Sequence, residues 1–178
     1  MSITVNGVPY SLTHLQTQTY NKVAMENWRK ELFHKPVVVM YSCHCFSTGE
    51  KAGIPFIPAP GALIMDGSRR RQFDLHRYQH SLILPNVMHD LLHSPHALVW
   101  DTGYGNRHYS QLIWSPNRQD ATAYYIFMRA NKEQASGQQK MIKLVIESAY
   151  PIQAPNPYPA QKKMLTMRVW LGKTWEGK

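Results

Sequence analysis

The chain has 178 residues, 43% of them hydrophobic, with Trp, Tyr and Phe spread along its length. That is enough apolar material for a real core, which excludes disorder as an overall description and fits one domain over residues 1–178. The formal charge of +9 and pI of about 9.6 raise the local concentration of phosphate-bearing partners, nucleic acid first among them.

The chain-order reading starts with a hairpin over residues 3–12, because Asn6-Gly7 sits between short β-formers. Thr19 to Lys35 carries Val23, Ala24, Trp28, Leu32 and Phe33 at steps that suit an amphipathic helix, ended by Pro36. Val37 to Tyr41 is a continuous apolar, β-branched run and reads as a buried strand. Residues 47–68, with Gly49, Gly53, Pro55, Pro58, Pro60, Gly61 and Gly67, read as one long irregular loop, a candidate flap. Ser81 to His93 reads as a helix with Pro85 in its first turn.

The remainder, 97–171, reads as an antiparallel meander. Its strands are expected at 97–100, 109–114, 121–129, 141–150 and 164–171, with turns at 103–106, 115–117 and 131–139 and a proline-rich connector at 151–159. The fold class expected is therefore α+β, an antiparallel meander sheet with two main helices packed on one face.

Cys43 and Cys45 are too close in sequence for a useful disulfide, so no disulfide framework is implied and a reducing compartment fits. The N-terminus lacks a basic region followed by an apolar one, and no run approaches the length of a bilayer span. The expectation is a cytoplasmic protein with no membrane partner.

Several residue groups carry chemistry. Arg69-Arg70-Arg71, followed by Phe73, His76, Arg77, Tyr78 and His80, interleaves cations with aromatics, which suits phosphate contacts and base stacking. His89 and His93 would project from one helix face and could share zinc. However, Asp90 stands where the familiar hydrolytic pattern has Glu, and Pro95 breaks the helix before His96. Cys43-His44-Cys45 could offer thiolates to zinc, yet no second cysteine pair exists. A two-residue step along a strand would put both sulfurs on one side and His44 on the other, at the sheet end, where an acid-base group could work. The main reading calls for no metal and no cofactor.

The order of a helix, a basic helical segment and a meander with scattered Arg, His and Tyr resembles the RelE-type and wider barnase–EndoU–colicin–RelE class of small ribonucleases, many of them toxins. The likeness is architectural and covers roughly 37–171. Phe73 to Tyr78, Leu84-Pro85 and Val145 to Tyr150 also look like stretches of bacterial and phage accessory proteins, which suggests a phage-defence or mobile-element setting. The resemblance implies metal-independent RNA cleavage. That chemistry needs a base for the 2′-hydroxyl, an acid for the leaving oxygen and a cation for the phosphate.

His76 or His108 is the expected acid or base, and Arg77 and Arg129 the phosphate clamps. Tyr109 and Tyr150 would stack or donate a proton. Arg69, Arg70, Arg71, Tyr78 and Arg107 would hold the nucleic acid. An acidic inhibitor or antitoxin is the protein partner expected of such a toxin. A non-catalytic nucleic-acid-binding or regulatory module is the second reading, and a zinc hydrolase using His89 and His93 the third.

Overall fold

Asn6 and Gly7 both take positive φ, 50° and 79°, the pair of conformations that a tight two-residue hairpin turn requires. They join β1 (Ser2–Val5) to β2 (Val8–Ser11), with Val5 opposite Val8. The structure is a computed structural model that describes residues 1–102, 107–114, 122–134, 139–152 and 163–177. The expected turns at 103–106 and 115–117, residues 135–138 of the expected 131–139 loop and most of the proline-rich connector lie outside those residues, while 131–133, expected in that loop, continue a strand.

The helix expected over 19–35 is instead a β-hairpin, β3 (Gln18–Glu26) and β4 (Leu32–Tyr41). Its burial has period two: Val23 and Met25 are buried, then Val37 and Val39. Asn27 closes the turn, its Oδ1 accepting from the Arg29 and Glu31 amides at 2.9 Å, and Lys30 takes φ 64°. Trp28, assigned to a helix face by its spacing, is exposed at this tip. Pro36 lies within β4, beside the register shift between Tyr20 and Val23, where a missing N–H costs the ladder least.

The region 47–68 is only partly irregular. Its ends form β5 (Ser47–Gly49) and β6 (Leu63–Asp66), which flank β7 (Arg69–Phe73) in a three-stranded sheet of order β5-β7-β6. Two helices follow rather than one. α1 (Leu75–Ser81) is capped by Asp74, which accepts from the Arg77 amide at 3.0 Å. α2 (Leu84–His93) has Pro85 in its first turn. After β8 (Leu98–Asp101), β9 (Arg107–Trp114), β10 (Thr122–Glu133) and β11 (Met141–Ile152), the expected last strand is only β12 (Met164–Thr166). The chain then turns helical as α3 (Met167–Glu176). Thr166 caps α3, accepting from Val169 N, and Gly177 closes it at φ 78°.

The fold class is α+β. The main sheet has seven strands in the order β12-β8-β9-β10-β11-β4-β3. β8 to β11 pair antiparallel in sequence order, but β11 then pairs parallel with β4, Ile142 opposite Val37. One face carries the core: Val23, Met25, Val37, Val39, Ile126, Met128, Ile142, Leu144 and Ile146 pack with Leu84 and Met88 of α2 and Met167, Trp170 and Leu171 of α3. Among the described residues, no helix is long and apolar enough to cross a membrane.

Candidate functional site

The other face of the sheet is built differently. Partners in a ladder share a face, so the pairs Arg129 with Arg107, Phe127 with Tyr109, Trp100 with Tyr109 and Tyr125 with Tyr150 put these positions together. A register shift between Phe127 and Met128 leaves Glu147 as the extra residue of β11, and its carboxylate lies 3.3 Å from Arg129 Nε. Phe127 stacks on Tyr150 with centroids 5.6 Å apart, and Tyr125 stacks on Phe127 at 6.4 Å. The Arg77 guanidinium covers the Tyr150 ring at 4.5 Å, a cation on a π-face. Lys143, on the same face, pairs with Glu133 at 3.3 Å. The result is a row of aromatics edged by cations. The backbone positions of Arg107 and Tyr109 pair with Arg129 and Phe127 of this row.

At the end of β4 the chain makes a 3-10 turn, Cys43–Cys45, rather than continuing as a strand. The expectation that both sulfurs share a side therefore fails: a 3-10 turn rotates residues two apart to different directions. Cys45 is fully buried, its thiol 3.8 Å from the Ile146 carbonyl, and burial pushes its pKa up to about 12. Cys43 is half-buried and faces the β6–β7 hairpin. Burial raises its pKa too, helped by the Asp66 charge.

His44 Nε2 lies 2.7 Å from Asp66 Oδ2. That hydrogen bond, followed by neighbouring cations, holds the Asp66 carboxyl below its ordinary 3.8. Among the described residues, Cys43, His44 and Asp66 are the set of three whose ligand atoms lie within 4.8 Å of one another.

Several bonds fix this turn. Ser42 Oγ accepts from His44 N at 3.1 Å and donates to the Glu147 carbonyl at 2.6 Å. Ser47 Oγ donates to the Cys43 carbonyl at 2.6 Å. Arg71, 9% exposed, donates from Nε to Ser47 Oγ at 2.8 Å and from a terminal nitrogen to the Ser47 carbonyl at 2.9 Å. Arg77 donates to the His44 carbonyl at 3.1 Å. It therefore touches both the turn and the aromatic row.

The sequence-predicted residues divide accordingly. Arg77, Arg129 and Tyr150 belong to the aromatic face, and Arg107 and Tyr109 occupy backbone positions in register with it. His108 belongs to the opposite one, opposite Met128 and stacked on Trp170 with centroids 4.5 Å apart. His76 is exposed on α1, its ring 4.4 Å from that of His80. Tyr78 packs among Tyr10, Phe73 and His14 and donates to the Ser11 carbonyl, which makes it part of the contact between α1 and the N-terminal hairpin. Arg69 is exposed, Arg70 pairs with Glu50, and Arg71 is buried as above. His89 and His93 do share a face of α2, but His93 Nδ1 hydrogen-bonds the His89 carbonyl at 2.7 Å and both rings pack near Tyr20.

Asp66 and Ser47 had no place in the sequence reading. A signal for Asp66 existed: Gly67-Ser68 between the apolar run that ends at Asp66 and the basic run that starts at Arg69 is a two-residue hairpin loop, with Gly67 at φ 60°. That hairpin carries Asp66 back over the turn at 43–45.

No curated protein and no solved structure matches the chain. A family model, that of the YjaZ family, matches residues 2–175. With nearly the whole chain matched, this protein belongs to the YjaZ family.

Proposed function

We propose that the chain binds single-stranded RNA across the aromatic face of its seven-stranded sheet. One observation supports this: Arg129 and Tyr150, chosen from sequence as nucleic-acid-handling residues, share a face of β10 and β11 with Arg77 against Tyr150, and the positions of Arg107 and Tyr109 on β9 pair with that face in register. Cations along an aromatic strip suit a polyanion whose bases carry π-faces. The ion pairs of Arg129 with Glu147 and Lys143 with Glu133 are partly exposed, which keeps them weak enough for phosphate to replace the carboxylates. A cytoplasmic site of action goes with this reading, as does an acidic protein inhibitor competing for the same face.

Metal-free cleavage on this face would need an acid and a base beside Arg77 and Arg129. His108 is on the far side of the sheet, and His76 is the histidine next to Arg77 in α1. Cleavage is therefore the further step of the proposal, and binding its foundation.

The test is a fluorescence-anisotropy titration of labelled single-stranded RNA, with the same mixtures run on a gel in EDTA. Arg129→Ala should weaken binding about fourfold at 0.15 M salt, the worth of one phosphate contact to a single strand. Glu147→Gln should tighten it, because it removes the carboxylate that competes with phosphate. Product ending in 2′,3′-cyclic phosphate in EDTA would add metal-independent cleavage. Equal affinity for wild type, Arg107→Ala, Arg129→Ala and Tyr150→Ala would remove the reading.

A further inference from the structure

The geometry points to a zinc site formed by Cys43, His44 and Asp66, with one coordination position left open. The three side chains offer sulfur, nitrogen and oxygen from atoms within 4.8 Å of one another. This donor set is specific. A thiolate beside an imidazole favours zinc among available divalent ions, while magnesium and calcium take oxygen ligands. Cys43 as thiolate and Asp66 as carboxylate supply two negative charges against the two positive charges of the ion. Three protein ligands also match the pattern of zinc sites that keep a place for water or substrate, whereas structural sites close with four.

The backbone is already in place for such a site. The 3-10 turn that presents Cys43 and His44 is held at both carbonyls, Cys43 by Ser47 Oγ and His44 by Arg77. Its amide is capped by Ser42. Asp66 sits on the β6–β7 hairpin, one residue before the Gly67 turn. Without metal, His44 and Asp66 hydrogen-bond each other at 2.7 Å. Tetrahedral zinc, with bonds of about 2.0–2.2 Å to nitrogen and oxygen, would hold these two atoms roughly 3.3 Å apart. The change is about half an ångström, within the reach of an Asp66 side chain that is 39% exposed.

Cys45 is excluded as the fourth ligand, since it is fully buried and its thiol faces the Ile146 carbonyl. Arg71 and Arg77 hold carbonyls of the turn from their guanidinium groups, so the site lies in a locally cationic setting, which suits water or an anionic group as the fourth ligand. This site is separate from RNA binding on the sheet face, and either can fail without the other.

The experiment replaces zinc with cobalt in the full chain, stripped with chelator and then dialysed free of it. One equivalent of cobalt should give visible d–d bands together with a thiolate-to-cobalt charge-transfer band. Zinc should displace it at one ion per chain. Cys43→Ser should abolish the charge-transfer band, and Asp66→Asn should weaken metal binding at least tenfold, no less than the loss of a supporting residue costs.

Asp66 is a surface residue, so Asp66→Asn keeps the protein folded, as circular dichroism would check. Cys45→Ser, provided it folds, should leave the band in place. The proposal is overturned if no thiolate band forms with wild type. It is equally overturned if Cys43→Ser and Asp66→Asn bind cobalt as wild type does, or if His89→Ala and His93→Ala abolish the signal.

Discussion

Arg71 turns its guanidinium inward. Three arginines in a row read as one basic patch, but the three part company: Arg69 and Arg70 are exposed, Arg71 is buried. Its two donors serve Ser47, whose hydroxyl in turn holds the Cys43 carbonyl. Arg71 thus belongs to the scaffold of the 43–47 turn rather than to a phosphate-binding surface. Arg71→Ala should cost about 2–3 kcal/mol, the worth of charge-assisted bonds lost from a buried site. The second donor to the Ser47 carbonyl, Arg77 at 3.3 Å, limits the loss. Arg71→Lys should recover less than half, since an ammonium cannot give two directed bonds in one plane. Urea unfolding of the three proteins measures this, and equal stability of Arg71→Ala and wild type would refute it.

At the scale of elements, α3 is held by a glycine. A Cβ at Gly172 would overlap the backbone carbonyl of Glu26 in β3, so the helix lies against the strand at a distance only hydrogen permits. In an open helix, Gly→Ala gains about 1 kcal/mol. Here Gly172→Ala should instead destabilise by about 2–3 kcal/mol, the cost of forcing packed backbones apart. A rise in melting temperature for this variant would contradict the packing described.

The same helix shows why parts of the chain were hard to read. Leu165, Met167, Val169 and Leu171 alternate as a strand would, yet the buried set is Met167, Trp170 and Leu171, a helical spacing. Both periods fit a short apolar run, and the caps that mark the helix, Thr166 and Gly177, lie at its two ends. The β3–β4 hairpin erred the other way: Val23, Ala24, Trp28, Leu32 and Phe33 fit helical steps by coincidence, because Asn27 to Lys30 is a turn. Signals tied to one backbone conformation, Asn6-Gly7 and Pro85 in a first turn, were legible. So were the strands of the 97–152 region. The parallel pairing of β4 with β11 had no local signal, since it joins segments roughly a hundred residues apart. The candidate site followed the same rule: Arg129 and Tyr150 were visible as residue types, but their shared face depended on a register shift that no short motif marks.

For the whole molecule, the question is whether the charge of +9 acts diffusely or through one face. A diffuse field attracts any polyanion, and removing any one cation then has the same effect. A local site releases counterions only where phosphates are neutralised, and each contact to a single strand adds about 0.7 to the slope of log affinity against log salt. If Arg77, Arg107, Arg129 and Lys143 each meet a phosphate, the slope is about −2.8, and RNA binding falls roughly 50-fold between 50 and 200 mM salt. Arg29 provides the control. It is exposed at the β3–β4 turn, outside the β9–β11 ladder in sequence and pairing, and its guanidinium lies over Trp28. Arg29→Ala and Arg129→Ala carry the same net charge of +8, being 9 − 1 in each case. Arg129→Ala should make the slope shallower by about 0.7, while Arg29→Ala should leave it where it was. Identical slopes for the two variants would assign RNA attraction to the total charge, and the aromatic face would lose its claim as the binding surface.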